Sequence, residues 1–255
     1  MARLPRRSPE GVAWFARLPG HKIECFISRP VRNCLVHDMK EHTFDKFIQL
    51  CRDWSDQMAG LEDDAKRIAH MQTQLPKLLL GRSLVSCVLE SIAKGTPGLN
   101  PGRCGIFENE ILLYLDPRRI FSIRVYFHRP GEFTPIHDHS SWGIYGTPFG
   151  TLDIVHYRRN DDGKDKNRAV LTVTHRLTLS PGEVDVVGSL DSGIHQTGNA
   201  SDQPNVMISV YGSPIRRLFI RIFEPDTGRI WKRFPPKLRK RRLAKQALRE
   251  YIKIL

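Results

Sequence analysis

Between Phe107 and Glu224 the chain is a succession of short β-prone runs separated by turn-forming residues, and this texture leaves few folds open to it. The runs are Phe107–Leu115, Phe121–His128, Trp142–Tyr145, Thr151–Tyr157, Val170–Leu177, Val184–Val187, Val206–Tyr211 and Leu218–Glu224. Between them lie Asp116-Pro117, Arg129-Pro130-Gly131, the stretch Asn160 to Gly163, Ser180-Pro181-Gly182 and Gly212-Ser213-Pro214. Many short strands at near-even spacing form an antiparallel barrel or sandwich.

The flanks have a different period. Phe44, Phe47, Ile48, Cys51 and Trp54 fall on one face of a helix beginning near Thr43. A second helical stretch, about Leu61–Gln74, opens on Glu62, Asp63 and Asp64, which suit the positive end of a helix dipole. A third, about Gly81–Lys94, is stopped by Gly95 and Pro97. Together they read as a helical subdomain or lid. After Pro235-Pro236, Ala244, Ala247, Leu248, Tyr251, Ile252 and Leu255 share one helical face, with basic residues elsewhere on the surface. This tail reads as a helix docked on the body, or as a contact for a protein, a nucleic acid or an anionic membrane. The expected division is a 1–38 arm, a 39–98 helical subdomain, a 99–230 barrel and a 231–255 basic tail.

At 255 residues, 40% hydrophobic and 26% charged, the chain can bury a full core. No apolar run approaches the roughly 20 residues of a membrane span. The basic N-terminus lacks a signal-like apolar run, so a cytoplasmic location is the default expectation, with an organelle-targeting peptide left open. Five scattered cysteines without a CxxC read as reduced thiols. The net charge of +13 is concentrated: residues 232–255 carry ten Lys or Arg against Glu250, a local +9 that leaves +4 for the rest. A mildly basic body does not by itself call for a nucleic acid.

His137 and His139 flank Asp138 just after a β-prone run. In a strand such a pair projects from one face, so both imidazoles can share one ion. His195, in the later segment Gly193 to Asn199 between two strands, supplies a third. Neutral imidazole suits Fe, Zn, Cu or Ni, and three of them leave positions open for small molecules.

The spacing around these histidines resembles the cupin superfamily. Gly131, His137, His139 and Gly150 fit its first motif, with Gly143 standing where that motif has a metal-binding Glu; His195 and Asn199 fit the second. The glycines suit corners whose φ only Gly tolerates. The phrase from Arg129 to Gly143, containing Pro135-Ile136-His137-Asp138-His139 and Trp142, is similar to the thiol dioxygenases, cysteine dioxygenase and the mercaptopropionate-type enzymes, over about residues 105–225. The resemblance implies a mainly β, double-stranded β-helix (cupin or jelly-roll) barrel with an N-terminal helical subdomain, to which this chain adds a basic C-terminal helix. It implies Fe2+ on His137, His139 and His195, with O2 added to a small thiol to give a sulfinate. It also points to Tyr211 as a catalytic residue. Arg124, Tyr126 and His128 share one face of their strand and either line the pocket or pack beneath the helices.

Two departures bear on the substrate. The family's Ser-His-Tyr relay reads Met207, Ser209 and Tyr211 here, so only the tyrosine remains. The early-strand arginine of cysteine-specific enzymes is absent from Ile111 to Tyr114, and Arg216 and Arg217 are either an alternative anion clamp or ordinary surface residues. No Cys stands near Tyr211 for a crosslink. Free L-cysteine is therefore disfavoured. A different iron-dependent cupin oxygenase, or a ligand-binding cupin without catalysis, competes with the dioxygenase reading.

Overall fold

The computed structural model describes residues 34–95, 105–213 and 219–252. Three helices open it, α1 (Cys34–Ala59), α2 (Asp64–Leu80) and α3 (Arg82–Ala93). Asp63 caps α2, accepting a 2.8 Å hydrogen bond from the Lys66 amide, which satisfies one of the amides a helix start leaves unpaired. The helix expected to end at Gln74 instead runs through Pro76 to Leu80. Burial of Leu75, Leu78 and Leu79 outweighs the backbone hydrogen bond that a proline removes.

Eleven strands follow: β1 (Glu110–Leu115), β2 (Phe121–His128), β3 (Ile136–His137), β4 (Gly143–Gly146), β5 (Leu152–Arg159), β6 (Leu171–Leu179), β7 (Val184–Val187), β8 (Ile194–Gly198), β9 (Asn205–Gly212), β10 (Ile220–Glu224) and β11 (Arg229–Arg233). Eight of them match the expected runs. The short β3, β8 and β11 were not expected as strands, and His195 lies on β8 rather than between strands.

Strands β2 to β9 pair as one long hairpin wound on itself: β2 with β9, β3 with β8, β4 with β7 and β5 with β6, all antiparallel. Winding separates them into sheets ordered β1-β2-β9-β4-β7 and β11-β10-β3-β8-β5-β6. That is the strand order of a jelly roll. The inner faces meet in one apolar cluster, with Tyr126, Tyr145, Met207 and Tyr211 from the first sheet and Leu152, Ile154, Leu179 and Ile222 from the second.

Alternation along β2 decides what each sheet face does. Ile123 and Val125 point outward into a cluster shared with Phe47, Trp54, Met58, Met71, Leu75 and Leu79 of the helices. The helices therefore back the first sheet on the side away from its interior. They are not a lid, and they do not cap the face bearing Arg124 and Tyr126.

The last helix, α4 (Pro236–Ile252), differs from the expected docked helix. From Lys240 to Arg249 every residue is exposed, including Leu243 and Leu248 at 65% and 56%. With Ala244 and Ala247 as small neighbours, seven cations between Lys237 and Arg249 outweigh what the apolar stripe would gain by burial. Among the described residues no helix is long and apolar enough to cross a membrane.

Candidate metal centre

His137 on β3 stands directly opposite His195 on β8, with ring centroids 4.6 Å apart. His139 lies two residues beyond His137, past the end of β3. The strand pleat therefore does not aim it, as the sequence suggested; the turn does. Asp138, buried between the two histidines, accepts hydrogen bonds from the Arg221 amide (2.7 Å) and Nε (2.6 Å), and Arg221 also binds Asp191. This anchor ties the turn to β10 and brings His139 Nε2 to 3.1 Å from His137 Nε2.

The nitrogens suit a shared cation. Two donors each about 2.1 Å from one ion, at about 90–110°, would be about 3.0–3.4 Å apart. One ligand atom from each of the three histidines lies within 4.8 Å of the other two. Backbone carbonyls set the tautomers: His137 Nδ1 donates to Pro135 O at 2.7 Å and His195 Nδ1 to Gly193 O at 3.1 Å. Each Nε2 is left as a lone pair facing inward. Burial lowers the His137 pKa to about 4 and that of His195 well below its ordinary value. Both are neutral, ligand-ready imidazoles at physiological pH.

Gly143 occupies the position of the acid in the related motif. Val187 and the Tyr211 ring crowd it, so no side chain fits there. Tyr211, on β9, packs 4.7 Å from the His139 ring. Burial raises its pKa to about 12, so it remains a protonated phenol. Tyr126 donates to the Tyr211 hydroxyl at 3.4 Å. Gly131 and Gly150, the expected corner glycines, have φ of 70°.

Arg124 lies beside Tyr211, 6.0 Å from the ring, and is ion-paired to buried Glu110. Glu110 also accepts from the Ile106 and Phe107 amides, at 2.7 and 3.2 Å. His139, Tyr211, Arg124 and Tyr126 line one cavity of about 910 Å³. His128 shares their face of β2 but sits off the cavity, hydrogen-bonded to Asn205 at 3.0 Å. Met207 and Ser209 are buried on the same face of β9 as Tyr211. Arg216 and Arg217 lie outside the described residues.

Several polar residues at this site escaped the sequence reading. Glu110 follows Glu108 and Asn109 at the start of β1, with no local pattern to set it apart. Asp185 accepts from both Tyr145 and His156, each at 2.7 Å, while Tyr145 packs 5.5 Å from His195. His137, His195, His156 and His175 form a single cross-strand row over four strands. Only the strand pairing reveals that row.

No family model matches the chain. Among solved structures it is similar to a cupin 2 conserved barrel domain protein from Salinispora arenicola, at 18% identity over 40% of this chain and 73% of that one, with a TM-score of 0.30. The DMSP lyase DddQ from Ruegeria pomeroyi shows 17% identity over 38% and 41% of the two chains, TM-score 0.29. A cupin-superfamily sugar phosphate isomerase from Silicibacter pomeroyi shows 14% identity over 51% and 78%, TM-score 0.32. Overlaps this partial carry no argument about activity. The strand order and the histidine geometry define the class instead: a jelly-roll domain with a buried three-histidine cluster able to hold a metal ion.

Proposed function

We propose that the protein is a mononuclear non-haem iron dioxygenase that adds both atoms of O2 to a small thiol, giving a sulfinate. The observation that carries this reading is the convergence of three histidines with no room for an acidic fourth ligand. His137, His139 and His195 would hold Fe2+, which when bound supplies open positions for a thiolate and for O2. The balance is simple: a thiolate and one O2 become one sulfinate.

The chain's own groups define the rest of the site. Tyr211 places a phenol hydroxyl beside His139, protonated at neutral pH and available to hydrogen-bond an anionic oxygen or sulfur. Tyr126 takes up the partner role that the related enzymes give to a histidine. Because Tyr126 is pushed well above its ordinary pKa by burial, with Glu110 adding to the shift, it too stays neutral. Arg124 is already neutralised by Glu110, so among the described residues lining the cavity's inner end no unpaired cation is left for an α-carboxylate. That supports a thiol other than free L-cysteine.

The test is anaerobic loading with Fe2+ followed by oxygen uptake against a panel of thiols, with sulfinate measured by mass spectrometry. Sulfinate matching the oxygen consumed supports the proposal. His137→Ala should no longer bind stoichiometric iron; retention of iron would sink it. Uptake yielding another product would indicate an oxygenase of a different small molecule, a reading that Ser209 in the relay position favours. Tight ligand binding without uptake would indicate a non-catalytic binding protein.

A further inference from the structure

The cavity has two ends of different character. At the histidine end the charged groups are Glu110 and Arg124, which cancel. At the other end the lining includes three exposed cations, Arg119, Lys237 and Lys240. Among the described residues lining the cavity, Glu110 is the only acid, so the outer end carries three uncompensated positive charges. Two of them come from the first five residues of α4, whose placement no apolar burial of its later turns explains.

Arg119 supplies an independent sign. Its φ is 60°, in the left-handed region that a side chain other than Gly or Asn occupies at a cost. The turn that holds it is fixed by Arg119 N donating to Asp116 O at 2.8 Å and Ile120 N to the Asp116 carboxylate at 3.0 Å. A glycine would suit that turn better, yet the position carries a guanidinium at the cavity mouth. The cavity's volume, about 910 Å³, lies near the top of the roughly 300–1,000 Å³ range for small-molecule sites. A thiol amino acid would leave most of it unfilled.

We propose that the substrate is an elongated thiol whose far end is a phosphate monoester, bound by Arg119, Lys237 and Lys240 while its sulfur lies at the histidines. This rests on the histidine end being the reaction centre. A phosphate is favoured because three cations line the same cavity with no acid beside them in its lining but Glu110, and Arg and Lys both bind phosphate oxygens through charge-assisted hydrogen bonds.

The experiment is calorimetric titration of the 255-residue chain with 4′-phosphopantetheine and with pantetheine, a pair that differs only in the terminal phosphate. The phosphate ester should bind about tenfold more tightly, the sum expected of several exposed ion pairs, with the advantage shrinking in high salt. Lys237→Glu/Lys240→Glu should abolish the difference. Arg119→Gly should raise the unfolding midpoint while reducing the phosphate advantage. Equal affinity for the two compounds, binding of neither, or an advantage that survives the double variant would overturn the proposal. Iron content and sulfinate formation are read separately, so failure of the dioxygenase reading leaves the phosphate comparison interpretable.

Discussion

A β-carbon placed on Gly143 would lie 2.8 Å from Cε1 of Tyr211 and 3.0 Å from a Val187 methyl. The phenol and a side chain at 143 exclude each other. Gly143→Glu should therefore not add a ligand to the site; it should displace Tyr211 and destabilise the fold by about 1–3 kcal/mol, as overpacking does. Combining it with Tyr211→Ala should recover part of that loss. Chemical denaturation of the three variants measures both effects.

Acid should weaken the metal-free protein in a defined window. His137 has its folded pKa lowered to about 4, against an ordinary value of 6.5. Above 6.5 both folded and unfolded chains carry it neutral and nothing is lost. As pH falls from 6.5 to about 4 the unfolded chain takes up a proton that the folded chain refuses, so stability drops, by about 3 kcal/mol from this residue alone. His195, lowered for the same reason of burial, acts in the same direction. Denaturation midpoints of metal-free protein between pH 7 and pH 4 check this, and His137→Asn should flatten the slope.

The Glu110–Arg124 pair should behave asymmetrically on mutation. Arg124→Met leaves a carboxylate that is only 2% exposed without its cation, at a cost of about 3 kcal/mol. Replacing both, as Arg124→Met with Glu110→Leu, should recover part of that loss, because the two charges then leave the interior together while the Ile106 and Phe107 amides lose their acceptor. A double-mutant cycle by urea denaturation provides the measurement.

Removing the chain after Arg239 should shift the stability by less than about 1 kcal/mol. The residues from Lys240 to Arg249 are all exposed, and the contact of Arg242 with Phe234, at 4.3 Å, is a surface one. The same truncation removes Lys240 from the cavity mouth. Thermal unfolding of the shortened chain is the check, and a large loss would mean that the helix docks after all.

Much of this architecture was legible because its signals are local. Short β-prone runs between turn-forming residues marked eight of the eleven strands, and Gly131 and Gly150 marked corners. What stayed hidden depends on pairing between distant segments. β3 has two residues, too few for a pattern, and β11 is short and rich in cations. The end of α2 was misjudged because Pro76 is a strong local stop that Leu75, Leu78 and Leu79 override through burial. At the site the histidines carried a spacing signal, but Glu110, Asp185 and Arg221 carried none, since the side-chain partner that gives each its place at the site is at least fourteen residues away. The HxH pair was recognised through strand alternation, whereas the Asp138–Arg221 anchor positions His139.

The row running from His137 through His195 and His156 to His175 makes the cluster depend on how four strands are aligned. A slip of one residue on β8 would turn His195 to the opposite face and leave His137 and His139 without their third partner. Ion capture would then fail however well the rest of the domain had condensed. A metal ion held there would thus act as a proofreader of sheet alignment, stabilising only those molecules whose strands have come into step.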